Sequence, residues 1–116
     1  MSRVVINFED AMDRVQDDME LLFELFDIFQ QDFIDKRPLL EQYICEKNAE
    51  EVRNVAHSMK GAAGNISAEK LFDVCLMMEK NGSQDNFETM AMDLSELDGA
   101  FKEFQQEAAR IRKENG

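Results

Sequence analysis

One histidine and a nearby lysine are the residues of this chain best suited to chemistry. His57 is the only histidine, and Lys60 follows it at a distance of one helical turn. Neutral imidazole is a good nucleophile near pH 7. A nearby ammonium group balances charge on the oxygens of a phosphoryl group that the imidazole attacks. The pair is therefore suited to nucleophilic attack on phosphorus.

The apolar spacing around His57 predicts that its side chain faces solvent. At about 100° per residue, the apolar residues of this segment share one helical face about 100° wide, and His57 lies about 150° from the centre of that face. The face consists of Val52, Val55, Ala56, Met59, Ala63 and Ile66. We therefore expect this histidine to be accessible to a partner.

Gly61 and Gly64 flank the same outward strip. Each glycine inside a helix costs about 1 kcal/mol relative to alanine. Both point away from the predicted apolar face, so close packing in the core explains them poorly. A second protein that brings its backbone close to His57 explains them better.

Other uses of His57 find less support in the sequence. Carboxylate metal sites in helical bundles use Glu-x-x-His, but Asn54 stands three residues before His57. Haem ligation by His57 and a methionine is disfavoured because the chain has no second histidine. The methionines are explained more simply as core residues. No spacing indicates a hydrolytic triad. We therefore expect no metal site and no intrinsic cofactor.

Length and composition indicate a single all-α domain over residues 1–116. Of these 116 residues only one is proline and five are glycine, and the charged fraction is 33%. The formal net charge of −12 disfavours nucleic acid and anionic lipid as partners, so we expect proteins. No apolar run is long enough to span a bilayer, and the apolar start at residues 4–6 is too short for a signal peptide. We therefore expect a cytoplasmic protein.

Apolar periodicity and capping residues indicate five helices. Their predicted N-terminal caps are Asn7, Asp17, Asn48, Ser67, and Asp85 or Asn86. The first four are predicted to end near Val15, Lys47, Asn65 and Gly82. Pro38 lies inside the second pattern and predicts a kink there. Four long amphipathic helices with short turns favour an up-down-up-down four-helix bundle, with the short first helix across one end.

Both cysteines, Cys45 and Cys75, fall within apolar helical patterns and lack CxxC spacing. We expect reduced, buried thiols, with neither a disulfide nor a metal pair.

The run at residues 57–66, HSMKGAAGNI, resembles the signature of histidine phosphotransfer (HPt) domains. Ala56 precedes it and Ala68, Glu69 and Leu71 follow it. Residues 33–38 are similar to the segment of the family's kinked second helix that contains Phe and Pro, and Asn48 lies where an interhelix turn falls. The resemblance covers most of residues 8–112. It departs at Ser67, where the family frequently has glycine, and we expect Ser67 to be a helix cap.

The resemblance implies that His57 is phosphorylated through Nε2 and that Lys60 stabilises the phosphoryl group. Gly61 and Gly64 would leave room for the active-site loops of a receiver domain, next to Ser58. Docking candidates are the apolar side chains Phe29 and Phe33, which are equally compatible with the core.

The implied function is that of a phosphotransfer intermediate between receiver-domain aspartates in a multistep two-component relay. Partners would be receiver domains of response regulators or of a hybrid histidine kinase, and the receiver would supply Mg²⁺. With no glycine-rich nucleotide loop, no ATP-dependent kinase activity is expected.

Three alternatives stay open. The first is a helical bundle that binds and regulates a receiver or kinase without carrying phosphate. The second is a dimeric phosphotransferase, although four helices in one chain favour a monomer. The third is a bundle that binds metal or haem. Met1 and the charged tail favour a free-standing protein over an excised domain.

Overall fold

The computed structural model describes residues 4–116, and this part of the chain contains five α-helices and no strand. Met1, on which the expectation of a free-standing protein partly rests, lies outside the described residues. The helices are α1 Phe8–Arg14, α2 Met19–Cys45, α3 Ala49–Asn65, α4 Glu69–Ser83 and α5 Phe87–Asn115. The predicted all-α fold with a short N-terminal helix is confirmed. Across residues 4–116, every helix is too short or too polar to cross a bilayer.

The four long helices close into a bundle. Helix α2 packs on α3, α3 on α4, α4 on α5, and α5 back on α2. Two side-chain contacts join α2 to α5. Arg37 of α2 donates two hydrogen bonds of 2.9 and 2.7 Å to Asp98 of α5. Gln30, earlier in α2, accepts at 3.4 Å from Gln105, which lies later in α5. The two helices are therefore antiparallel, as the up-down-up-down arrangement requires.

Five phenylalanines fill the core between α2 and α5. Phe33 stacks on Phe101 with ring centroids 3.8 Å apart, and Phe104 meets the rings of Phe26 and Phe29 edge-on at 5.6 and 4.9 Å. Phe29 and Phe33 are only 5% and 4% exposed. The docking role predicted for these two is wrong, because both rings are enclosed between the helices and present no surface to a partner.

Three predicted caps are confirmed. Asn7, Asn48 and Asn86 are the N-caps of α1, α3 and α5, and each side chain accepts a hydrogen bond from the backbone N–H three residues on. Asparagine at this position satisfies one of the free N–H groups of the first turn, and this explains why these helix starts were visible in the sequence.

The caps predicted at Asp17 and Ser67 are wrong for a shared reason. Both residues have a left-handed backbone, with φ of 63° and 57°, and so belong to the turn before the helix. The N-cap of α2 is Asp18, and that of α4 is Ala68, which makes no side-chain capping bond. The Ser67 hydroxyl donates instead to the Asp10 carboxylate at 2.5 Å and lowers the pKa of that carboxyl.

The N-terminal segment takes over the capping of α4. The backbone N–H of Lys70, in the first turn of α4, donates to the carbonyl of Val4 at 3.2 Å. The backbone N–H of Asn7 donates to the carbonyl of Ser67 at 2.9 Å. The segment before α1 therefore closes the end of the bundle where α3 turns into α4.

The two cysteines differ from each other. Cys75 is 2% exposed, as predicted, whereas Cys45 is exposed, and both are free thiols. The prediction of a buried Cys45 is wrong because it lies five residues after Leu40, which turns it about 140° away from the buried face.

Helix α2 continues through Pro38 as one element, and the kink stays a prediction. Proline has no N–H to donate to the carbonyl of Ile34 and costs about 3 kcal/mol inside a helix. It also restricts the unfolded chain, which returns up to about 1 kcal/mol. We expect Pro38→Ala to raise the free energy of unfolding by roughly 2 kcal/mol, measured by urea denaturation. Gln42 is exposed and lies one turn after Pro38 in α2. Gln42→Ala adds no backbone N–H and therefore serves as the control. A Pro38→Ala protein no more stable than wild type would contradict this account.

A buried carboxyl in α5 predicts a pH-dependent stability. Asp93 is 6% exposed and accepts a hydrogen bond of 2.5 Å from the Asn81 amide, while burial raises the pKa of its carboxyl. The native state therefore binds a proton at a pH where the unfolded chain is still ionised, so this group favours folding more as the pH falls. We expect Asp93→Asn to be more stable at pH 7 by on the order of 1 kcal/mol. Thermal unfolding should show this gain shrinking on acidification, and a gain that is constant with pH would refute the assignment.

Candidate functional site

The side chain of His57 projects from the outer surface of α3, as predicted. It is 68% exposed. On the opposite side of the helix, five of the six residues of the predicted apolar face are buried: Val52, Ala56, Met59, Ala63 and Ile66. The sixth, Val55, is half-buried and packs against the core. The imidazole is thus held on a rigid helix and is open to a partner.

A single carboxylate joins the two residues that the sequence singled out. Glu79 of α4 lies with its Oε2 2.6 Å from Nδ1 of His57 and its Oε1 2.6 Å from Nζ of Lys60. The side chains of Glu79 and Lys60 are 19% and 20% exposed, so this pair is better shielded than the imidazole. The contact spans the α3–α4 interface, since His57 and Lys60 occupy successive turns of α3.

The charge on Glu79 determines which ring nitrogen is free. The hydrogen bond from Lys60 lowers the pKa of Glu79, burial opposes this, and the bond to His57 lowers the pKa further. An ionised carboxylate only accepts hydrogen bonds, so Nδ1 of His57 carries the proton and donates it. In the neutral ring the lone pair is then on Nε2. The arrangement therefore leaves the lone pair of the neutral imidazole on Nε2, the nitrogen that does not contact Glu79.

Glu79 is the residue of this candidate site that sequence reasoning missed. It lies 22 positions after His57, and no local motif connects the two. Its position on the flank of α4 is meaningful only when the register between α3 and α4 is known. Helical periodicity fixes which face a residue occupies but not which residue it meets on the next helix.

The two glycines beside His57 have different surroundings. A Cβ placed on Gly61 would meet nothing within 4 Å, whereas one on Gly64 would lie 3.5 Å from the Phe72 ring, an ordinary van der Waals contact. Neither has a positive φ. The fold therefore requires glycine at neither position, and Gly61 leaves a flat, open surface next to His57.

Ser58 lies on the flank of α3 that faces α2. Its hydroxyl accepts a hydrogen bond of 2.6 Å from Nζ of Lys36, and that ammonium also pairs with Asp32 at 2.9 Å. Lys36 was not singled out by the sequence analysis. Ser58 is exposed, and Lys36 brings a second basic side chain to the surface around His57.

An apolar strip on α2 lies beside this surface and replaces the two buried phenylalanines as a docking candidate. Leu21 and Ile28 are 38% and 62% exposed, and Leu25 between them is half-buried. Leu25 and Ile28 line a groove with Ala62 and Ile66 of α3. Helical periodicity could have predicted this strip, because Leu21, Leu25 and Ile28 lie on one flank of α2, about 60–130° from the centre of its buried face.

The buried thiol near the site is chemically inert. Burial and the neighbouring Glu79 carboxylate raise the pKa of Cys75 to about 12, against a smaller opposing effect of Lys60. Cys75 is therefore a protonated, apolar core residue and not a nucleophile or a metal ligand. Among residues 4–116, no three His, Cys, Asp or Glu side chains are arranged to hold a metal ion.

Comparison with known proteins identifies one family. The sequence model of the Hpt domain matches residues 24–114, more than half of the chain, and the matched range contains His57, Lys60 and Glu79. No curated protein and no solved structure gives a significant match.

Proposed function

Because the chain belongs to the Hpt domain family, we propose that His57 carries a phosphoryl group between receiver-domain aspartates in a multistep phosphorelay. Domains of this family act in histidine phosphotransfer and interact with receiver domains and histidine kinases. The observation that carries the proposal is the hydrogen bond between Nδ1 of His57 and Glu79, which leaves the lone pair of an exposed imidazole on Nε2.

The transfer step follows from this geometry. The Nε2 lone pair attacks the phosphorus of an aspartyl phosphate and forms an N–P bond. The P–O bond to the aspartate breaks, and its electron pair stays with the departing carboxylate. The receiver would supply Mg²⁺ to offset charge on the phosphoryl oxygens. Onward transfer is the same step in reverse, with a second aspartate as the acceptor.

Lys60 supplies the cation that this chain contributes. Its ammonium lies one turn from His57 and is already held in place by Glu79 at 2.6 Å. An ammonium at this position offsets part of the negative charge that the phosphoryl group brings. Once the group is bound, its oxygens compete with Glu79 for the same ammonium, so the interaction with Lys60 is shared between them.

The surface around His57 supports docking of a receiver domain. The open surface at Gly61 would admit the backbone of an active-site loop, and Leu25 and Ile28 offer apolar area in the groove they share with Ala62. Apolar contact supplies affinity without requiring opposite charge, which suits an acidic chain that meets an acidic receiver pocket. A monomer is sufficient for this role, because α5 closes the bundle against α2 within one chain.

Transfer of radiolabelled phosphate from phosphorylated receiver domains tests the proposal. We expect wild type to gain an acid-labile, base-stable label and His57→Gln to gain none. Lys60→Gln should be labelled about a hundredfold to a thousandfold more slowly, the range for losing one charge-stabilising group. If wild type binds several phosphorylated receivers and takes label from none, the relay is wrong and the binding-only alternative replaces it.

Substitution of two helical glycines, Gly61 and Gly99, distinguishes an effect on receiver docking from an effect on stability. A Cβ on Gly61 or on Gly99 would meet nothing within 4 Å, and both lie inside helices, but only Gly61 adjoins His57. We expect each Gly→Ala change to raise the free energy of unfolding by about 0.5–1 kcal/mol, measured by urea denaturation. Only Gly61→Ala should slow transfer from the receiver, because its methyl group enters the space of the docked loop. Equal transfer rates in the two variants would count against close approach at Gly61.

A further inference from the structure

One further cation lies on the part of α3 that carries His57. We infer, given the proposed function of His57, that Arg53 is a specificity-determining residue for the receiver domain. Its guanidinium pairs with a carboxylate on the rim of the docked receiver, away from the phosphoryl group. The observation behind this is an exposed arginine that has no polar partner within residues 4–116 of its own chain.

Arg53 is the exception among the arginines of the chain. Four others lie within residues 4–116, and each forms an ion pair with a carboxylate: Arg14, Arg37, Arg110 and Arg112. Arg53 forms none there, although acidic residues outnumber basic ones by 25 to 13. Glu50 precedes it by one helical turn, a spacing at which ion pairs form, and the two do not pair. The guanidinium is therefore free to bind a carboxylate from another protein.

Arg53 and Lys60 lie on the same strip of α3, with His57 between them along the helix. The two are separated by about two turns and differ in direction by about 20° around the helix axis. Side chains on a helix lean towards its N-terminus. Lys60 therefore leans towards His57, and its Nζ lies 2.6 Å from Glu79 beside the imidazole. Arg53 leans away from the imidazole, which directs its charge to the surface around the site and not to the phosphoryl group.

The start of the Arg53 side chain lies close to the backbone of α4. A Cβ placed on Gly82 would be 3.2 Å from Cβ of Arg53 and 3.3 Å from its backbone nitrogen. Gly82 is buried, and its lack of a side chain leaves room for the arginine at this point of the α3–α4 interface. A side chain confined at its base loses less rotamer freedom when its charged end binds a partner. The packing therefore favours a guanidinium that is partly positioned before docking.

A receiver domain docked over His57 would also cover Arg53. Four residues along a helix advance about 6 Å. Even a small interface covers roughly 500 Å² of each partner, a patch about 13 Å in radius. The groove of Leu25 and Ile28 lies on the α2 side of this patch, and Arg53 lies on its α4 side.

The chemistry of the guanidinium identifies the kind of group it binds. Arginine binds a carboxylate through two parallel hydrogen bonds. Charged pairs at the rim of an interface discriminate between partners and raise the association rate. Arg53 therefore favours receivers that place an acidic side chain opposite it and disfavours receivers that place a basic one there.

Transfer kinetics at varied receiver concentration test the role of Arg53. The probe is the phosphorylated receiver domain that labels wild type fastest. We expect Arg53→Gln to raise the half-saturating receiver concentration by about twofold to fivefold at low salt and to leave the maximal rate unchanged. Because ions screen exposed charges, this difference should shrink as salt is added. Labelling by phosphoramidate, which needs no receiver, should match wild type.

Lys102→Gln is the matched control. Lys102 is also an exposed cation without an ion pair in the described part of the chain, and its loss changes the net charge equally. It lies on α5, which packs on α2 and α4 and so is on the side of the bundle away from α3. Lys102→Gln should transfer with wild-type kinetics, and urea denaturation should show wild-type stability for both variants.

A charge exchange identifies the partner carboxylate. We expect Arg53→Glu to raise the half-saturating concentration by about tenfold, because repulsion replaces attraction. Replacement of one acidic surface residue of the receiver by lysine should reverse this increase. If no such replacement does so, or if Arg53→Gln transfers with wild-type kinetics, the rim contact is wrong and the relay through His57 stands.

Two further outcomes would also overturn the contact. Slower labelling of Arg53→Gln by phosphoramidate would place the guanidinium at the phosphoryl group instead of the receiver rim. A wild-type protein that takes label from no receiver would overturn the relay itself, and with it the contact that depends on the relay.

Discussion

The register of α3 against α4 is the constraint on which the site depends, because it sets Glu79 opposite both His57 and Lys60. Contacts at other levels of the same interface maintain it. The Phe72 ring packs beside Gly64 near one end, and the backbone of Gly82 lies against Arg53 near the other. A Cβ on Gly82 would be 3.2 Å from Cβ of Arg53, closer than ordinary contact. Glycine at this position therefore permits the close approach of α4 to α3.

The sequence predicts those parts of the structure that depend on one helix at a time. The outward position of His57 and the caps at Asn7, Asn48 and Asn86 follow from periodicity and local hydrogen bonding, which the residues of one segment determine. Glu79 did not follow, because its role requires the relative position of two helices. Phe29 was predictable as apolar but not as buried by α5 instead of exposed to a partner. Tertiary packing decides such cases.

The turns were the least predictable elements because the chain uses glycine in an unusual way. Among residues 4–116 no glycine has a positive φ, whereas five other residues do: Gln16, Asp17, Lys47, Ser67 and Asp85. Each such residue costs about 1 kcal/mol or more relative to glycine. Four glycines lie inside helices, where they also reduce stability: Gly61, Gly64, Gly82 and Gly99. At Gly82 the close packing of α4 on α3 accounts for a small residue, whereas at Gly61 the structure shows only open space.

Local charges outweigh the overall acidity of the chain in setting the energy of a phosphoryl group on His57. The formal net charge is −12, but exposed carboxylates farther away than about 8 Å are largely screened at physiological ionic strength. Lys60 and Glu79 act within hydrogen-bond distance of the site and of each other, and their charges cancel. In the proposed function a phosphoryl dianion would therefore meet a Lys60 ammonium that is already shared with Glu79. In the proposed relay, this local charge balance favours release of the phosphoryl group over its storage.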